Sequence, residues 1–363
     1  MSNVQPHTAT RSGVKESGGR PLQSFTRGAP TSSRDKVAAS TKRPVFVITI
    51  DTEGDNIWSC PQTVTTENAK YLPRFQSLCE QYGFKVTYLV NYEMAIDTDF
   101  QKFGGDVLKR QTAEIGLHVH SWNSPPLADL QYDPRWHHAY LYECSDELID
   151  AKVDYLTRLL TSVFDVHPRS HRAGRWGFNE RVARALAQHG YLADCSVTPG
   201  VSWRRYKGAP SGHGGPDYFG FGQEPYFLDL DNIQRSGDSQ LLEVPVTIRA
   251  NYPLALQRFH HVIENGFAGK VCRRVLGSPH KWFRPNRSNI DAMLSLVDEV
   301  IEQQSAVLEF MLHSSELMPG GSPTFRTAAD VERLYQDLER LFTYIDKRGI
   351  SGKTLAEYRS TWG

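Results

Sequence analysis

From Pro44 onward the chain alternates between short apolar runs and longer stretches whose apolar residues recur at helical spacing. Residues 45–50 read as a strand. Residues 67–82 read as a helix, with Tyr71, Leu72, Phe75 and Leu78 on one face and Gly83 as its stop signal. Further strands are predicted over 84–90, 114–120, 169–173, 191–195, 241–248 and 306–312. The helices between them are predicted over 105–111, 145–164, 179–188 and 288–304, with a last one over 328–348. In the 145–164 helix Ser145 serves as N-cap, and Leu148, Val153, Leu156, Leu159, Leu160 and Val163 form the buried stripe. Strands separated by helices of this length must run parallel and be joined by crossovers. The expected fold class is therefore α/β, layered or barrel, in one domain over 43–363 with no internal repeat.

Two stretches break the alternation. Between Thr198 and Asp231, Gly, Pro and aromatic residues (Trp203, Tyr206, Tyr218, Phe219, Phe221, Tyr226, Phe227) crowd together without periodicity. Such a loop either lines a substrate groove with its aromatic faces or forms a surface excursion packed on itself. Residues 1–42 are rich in Ser, Thr, Gly, Arg and Pro and poor in large apolar side chains. They are expected to form a disordered, mildly basic tail, with an organelle transit peptide of similar composition as the alternative.

Composition narrows the function classes. The 363 residues carry 41 Lys and Arg against 41 Asp and Glu, so no global basic surface calls for nucleic acid. The five cysteines (Cys60, Cys79, Cys144, Cys195, Cys272) are odd in number, scattered and without a C-x-x-C pair. They read as reduced thiols of a cytoplasmic protein. No run reaches the length of a membrane span, and the N-terminus lacks the apolar core of a secretory signal.

Candidate chemistry sits at the predicted strand exits. Asp51-Thr52-Glu53 ends the first apolar run and His118-Val119-His120 ends the third. Because strand side chains alternate with a period of two, Asp51 and Glu53 share a face, as do His118 and His120. Two carboxylates and two imidazoles projected from neighbouring strand ends can converge on one divalent cation and one water. Arg172-Ala-Gly-Arg175-Trp176-Gly177 brackets two cations with glycines and an indole, suited to holding a carboxylate or facing a ligand. Asp194 and His313 stand at two more exits. His313 taken alone reads equally as a satisfied core histidine, and His137-His138 and His260-His261 read as solvated.

The order of these motifs resembles the polysaccharide deacetylases, the carbohydrate esterase family with a NodB-homology domain. The stretches are Ile48–Asp55, Glu114–Trp122, Arg172–Gly177, Asp194–Ser196 and Leu312–Ser315, and the likeness covers roughly residues 44–358. The resemblance implies a distorted (β/α) barrel of seven strands and a metal-dependent hydrolase with a divalent ion, expected to be Zn²⁺. Asp51 would be the general base, Arg172 its partner, Glu53 and His118 metal ligands and His313 the general acid. Metal histidines in the family stand four apart, but here that position is Trp122, so His120 must substitute. Trp122, Arg175 and Trp176 are expected to bind substrate. The implied partner is an N-acetylated glycan or lipid-linked sugar, as in the subgroup linked to lipopolysaccharide and surface-polysaccharide gene clusters. A glycan-binding barrel without catalysis and a hydrolase of O-acetyl esters or other amides are the alternatives.

Overall fold

The structure is a computed structural model; it describes residues 43–59, 61, 63–127, 139–210, 212–251 and 279–362. Cys60, Cys272, His137, His138, His260, His261 and the 1–42 tail lie outside the described residues. The strands are β1 (Val45–Thr52), β2 (Val86–Val90), β3 (Ala113–Val119), β4 (Ser170–Ala173), β5 (Ala193–Asp194), β6 (Tyr226–Asp229), β7 (Asn232–Ser236), β8 (Leu242–Glu243), β9 (Ile248–Ala250), β10 (His280–Trp282), β11 (Val307–His313) and β12 (Gly352–Lys353). Between them lie the helices α1 (Leu72–Gln81), α2 (Tyr92–Ile96), α3 (Thr98–Lys109), α4 (Asp146–Phe164), α5 (Glu180–Gln188), α6 (Ile290–Glu302), α7 (Ala328–Asp346) and α8 (Leu355–Arg359).

Parallel pairings run in the order β11-β1-β2-β3-β4-β5-β8. This curled sheet is the distorted barrel that the resemblance implies, one of the two forms left open by the alternation. Its seam is bridged beyond β8, where Thr247 donates its N–H to the Glu309 carbonyl at 3.3 Å and accepts from Glu309 N–H at 2.8 Å. The predicted strand over 241–248 is in fact split: β8 stays in the barrel, and β9 turns away to pair antiparallel with β10. Pro245 sits at the break and has no N–H for a continuous ladder. The aromatic 198–231 stretch ends in strand β6, which pairs antiparallel with β7 and β8 and was not predicted.

Local signals set the helix boundaries. Ser145 caps α4 through its hydroxyl, which accepts from Leu148 N–H at 3.3 Å. Asp165 closes α4 in the left-handed region at φ 53°. The helix predicted at 105–111 begins earlier because the Asp97 carboxylate accepts from Phe100 N–H at 2.8 Å and starts α3 there. The 67–82 helix opens with a 3₁₀ turn over Glu67–Tyr71 before α1.

The period-two rule sorts the barrel wall into two faces. Phe46, Ile48 and Ile50 of β1, Ile115, Leu117 and Val119 of β3, and Phe310 and Leu312 of β11 pack outward into the main core under the helices. There Phe46, Phe84 and Phe342 meet edge to face at centroid distances of 5.0–5.9 Å. The alternate residues face inward and stack in layers. Val47, Leu89, Ala193, Leu242 and Val307 form an apolar floor, closed from below by Leu355 and Tyr358 of α8. Above it come the polar residues Thr49, Arg172 and Glu309, and above those Asp51, Glu53, His118 and His313.

Gly116 belongs to the inward set of β3. A Cβ built there would lie 2.7 Å from the Ser170 carbonyl oxygen and 2.8 Å from Leu89 Cδ2. Gly116→Ala is therefore expected to lower folding stability by about 1–3 kcal/mol, because strand backbone and a core leucine must both move. Urea unfolding against the parent measures this, and an unchanged midpoint would mean that the barrel wall yields freely at this position.

Candidate functional site

Glu53, His118 and His120 form a buried triad of potential metal ligands. Glu53 Oε2 lies 3.3 Å from His118 Nε2 and 3.2 Å from His120 Nε2, and the two Nε2 atoms are 2.9 Å apart. Ligands bound tetrahedrally to one ion at about 2.0–2.1 Å stand roughly 3.3 Å from one another. The triangle fits one face of such a coordination sphere. His118 Nδ1 lies 2.9 Å from the Arg172 carbonyl, which can only accept, so Nδ1 holds the proton and Nε2 offers its lone pair to the triangle. One carboxylate and two imidazole Nε2 atoms meeting in a buried site form a donor set that fits a divalent ion.

Burial disfavours the Glu53 carboxylate, but the neighbouring His118, His120 and His313 hold it well below the ordinary range. Burial also opposes His118, yet Asp51 and Glu53 hold its pKa up, whereas burial prevails at His120 and pushes it down.

The expectation that the two motifs come from neighbouring strands needs correction. β2 lies between β1 and β3, and the ligands meet only because the curled sheet points inward residues at a common axis. His120, two residues beyond His118, keeps the inward parity of β3. Its ring stacks on Trp122 with centroids 4.3 Å apart and planes 26° from parallel. Trp122 therefore supports the second histidine as well as lining the cleft. A Cβ on Gly174 would overlap the His120 ring and approach its Nε2 to 2.6 Å. The loop after His120 is tied down by the buried Lys152 ammonium, which donates to the Ser124 and Pro126 carbonyls.

Asp51 sits beside the triad. Arg172 Nη1 donates to its Oδ1 at 2.7 Å, and His313 Nε2 lies 3.6 Å from its Oδ2. Burial raises the Asp51 pKa, but Arg172 first, then His118 and His313, bring it below the usual carboxylate value, so it is ionised at neutral pH. His313 stands opposite Asp51 in the β1–β11 register and is 3.6 Å from Glu53 Oε1. Its Nδ1 side faces Glu316 Oε2 at 3.2 Å and Arg284 Nη2 at 3.0 Å, and Trp58 packs edge-on at 4.8 Å between ring centroids. Burial would raise Glu316, but Arg284 and the hydrogen bond with His313 bring it down to about 2.

These groups form the floor of a cleft of about 520 Å³ with aromatic walls, among them Trp58, Trp122, Tyr140, Trp176, Trp203 and Tyr206. Trp203 and Tyr206 come from the aromatic stretch, whereas Tyr218 is buried and Phe221 packs against it. The stretch therefore divides, with Trp203 and Tyr206 on the cleft wall and Tyr218 and Phe221 packed against each other. Arg175 and Trp176 also line the cleft, on consecutive left-handed residues at φ 55° and 61°. Non-glycine residues held there carry roughly 1–3 kcal/mol of strain each, a cost found mostly at functional positions.

Asp194 does not reach this cleft, contrary to its place among the strand exits. On β5 the inward positions are Ala193 and Cys195, so the Asp194 side chain turns outward. It is buried against His171 Nδ1 at 2.6 Å and Ser196 Oγ at 3.0 Å. The strand contributes a backbone group instead: Cys195 C=O accepts from Arg172 Nε at 2.9 Å. Sequence reasoning missed Arg284 and Trp58, which occupy segments without a legible pattern, and Lys152, whose place on the predicted 145–164 helix gave no sign of the loop carbonyls it binds. Glu316, three residues after His313, offered a spacing signal.

No family model matches the sequence, and no curated protein matches it. Among solved structures the chain is similar to a protein assigned as a polysaccharide deacetylase from Mycobacterium smegmatis, at 16% identity and a TM-score of 0.46 over 91% of this chain and 98% of that one. It is also similar to the 4-alpha-glucanotransferase of Thermococcus litoralis, at 14% identity and 0.48 over 88% and 40%. A family 4 carbohydrate esterase from Streptomyces lividans matches at 9% identity and 0.39 over 85% and 91%. None of these likenesses is close enough to assign chemistry, which rests on the residues of the site itself.

Gly174→Ala is expected to weaken divalent-ion binding on the order of 10- to 100-fold by displacing the His120 ring, while the metal-free chain still folds. Metal titration by calorimetry, with circular dichroism of the same sample, checks this. Unaltered affinity would show that His120 is not held to an ion by that packing.

Proposed function

We propose that this protein is a metal-dependent hydrolase that removes the N-acetyl group from an N-acetylated amino sugar of a glycan or glycan precursor. The observation that carries the reading is the convergence of a base and an acid beside the candidate ligand triangle. Asp51 and His313 approach within 3.6 Å across the floor of an aromatic-walled cleft. The motif order, which resembles the polysaccharide deacetylases, supports the same reading, as do indole faces suited to the apolar faces of sugar rings.

Glu53, His118 and His120 would hold the ion, for which a carboxylate and two imidazoles suit Zn²⁺. Such an ion lowers the pKa of a water toward neutrality and polarises a carbonyl. Asp51, ionised and steadied through Oδ1 by Arg172, takes the proton of the attacking water on Oδ2. The water oxygen bonds to the acetamide carbon. His313, oriented by Glu316, gives a proton from Nε2 to the sugar nitrogen. The C–N bond then breaks with its electron pair on nitrogen, leaving acetate and a free amine. Without that proton the amide nitrogen is a poor leaving group. A surface polysaccharide or a lipid-linked sugar is the substrate this reading implies.

With zinc supplied, acetate should be released from N-acetylglucosamine oligomers. Asp51→Asn and His313→Ala should each lower kcat by roughly 10²–10⁴-fold while retaining the metal. Full activity in Asp51→Asn would discard the mechanism. Stoichiometric metal with glycan binding but no acetate would identify a non-catalytic barrel. Release only from O-acetyl sugars would change the bond cleaved.

A further inference from the structure

We infer that Trp58 is the platform for the sugar ring that carries the scissile acetamide, an orientation of substrate that rests on the deacetylase reading. In that reading His313 Nε2 protonates the nitrogen that leaves with the sugar, and such a transfer needs contact at about 2.6–3.2 Å. The ring is directly bonded to that nitrogen, so it must lie against the surroundings of His313. Trp58 lines the cleft there, its ring centroid 4.8 Å from that of the imidazole and its plane inclined by 67°. Among the described residues no other aromatic ring meets His313. The ligand histidines stand apart from the acid. Glu53 faces them through Oε2 at 3.2–3.3 Å and faces His313 through Oε1 at 3.6 Å. Trp122, stacked on His120, belongs to the ligand side of the cleft.

Other tryptophans of the cleft commit ring surface to the protein. Trp176 is 8% exposed and stacks on Trp203 with centroids 6.2 Å apart, and Trp282 packs against both. Trp58 is 40% exposed, and its one ring contact among the described residues is the edge-type packing on His313. Indole surface therefore stays open beside the acid. The turn that carries it is fixed before substrate arrives. Asn56, left-handed at φ 44°, donates its N–H to the Gly321 carbonyl at 2.8 Å. The Asn56 carbonyl accepts from Ser59 N–H and Ser59 Oγ, both at 2.9 Å, which closes the turn around Ile57 and Trp58. Asp55 ties down its base, with a carboxylate that accepts from Glu67 N–H at 2.9 Å and Asn68 N–H at 3.0 Å. Ile57, next to Trp58, is buried. A flat apolar surface held still beside the acid matches the apolar face of a pyranose chair, and little ordering entropy is lost when a ring settles on it.

The test measures acetate release by the zinc-loaded full chain from the N-acetylglucosamine dimer and tetramer. Trp58→Ala and Trp58→Leu should each raise KM about tenfold on both substrates, with kcat within about twofold of the parent. A platform that holds ground and transition states alike moves KM and spares kcat. Trp58→Phe keeps a flat face and should stay within about threefold of the parent, whereas leucine keeps apolar bulk alone. Unchanged KM in Trp58→Ala or Trp58→Leu would overturn the inference. So would a fall in kcat at constant KM, which would make Trp58 a support for His313 alone. A KM effect confined to the tetramer would also overturn it, by placing a neighbouring sugar on the indole. Acetate from neither substrate with the parent would sink the deacetylase reading instead. Calorimetric binding of the tetramer to the parent and Trp58→Ala then decides the platform, with about a tenfold loss supporting it and equal affinities overturning it.

Discussion

One buried guanidinium ties the interior of this barrel together. Arg172 is wholly buried and donates to Asp51 and Thr49 of β1, Glu309 of β11 and the Cys195 carbonyl at the end of β5. It spans the barrel axis directly beneath the site. Burial would otherwise neutralise such groups. Burial does push Glu309 upward, against the pull of Arg172, whereas Asp51 is held down. Arg172 reaches both carboxylates, Asp51 at 2.7 Å and Glu309 at 2.6 Å. Removing one partner of a buried pair typically costs about 3–5 kcal/mol, because the other charge is left without compensation. The same residue offers its backbone carbonyl to His118 Nδ1. Asp51 and His118 are therefore oriented by two ends of one amino acid.

From that constraint the site follows as the top layer of an ordered interior. Apolar side chains fill the floor, the Arg172 layer spans the middle, and the groups with unspent valence face the cleft. Parallel strands make this possible, since their carboxyl ends all open on one side. Inward parity then selects the side chains: Asp51 and Glu53 from β1, His118 and His120 from β3, His313 from β11. The loops add what the strands cannot. Trp122 stacks on His120, Trp58 packs on His313, and Arg284 with Glu316 orients the far side of that imidazole.

Much of this was legible from residue pattern alone. Buried parallel strands write continuous apolar runs, so β1 and β11 were located to within a residue or two at each end. Period-two parity predicted that Asp51 would share a face with Glu53, and His118 with His120. Parity also explains the failure at Asp194: an exit position says nothing about direction unless the register of the strand is known, and β5 is too short to reveal it. Arg284 and Lys152 were invisible for another reason. Their roles depend on contacts 29 and 28 residues away in sequence, which no local period encodes. The split between β8 and β9 escaped notice because Val244, Val246 and Ile248 carry the apolar pattern across the break.

The most direct test of the central claim is X-ray absorption spectroscopy of the purified chain loaded with one equivalent of zinc. The account predicts two imidazole nitrogens and carboxylate oxygen around the metal, no sulfur, and the loss of one imidazole in His120→Ala. Sulfur ligation, fewer than two imidazoles in the parent, or an unchanged spectrum in His120→Ala would contradict it.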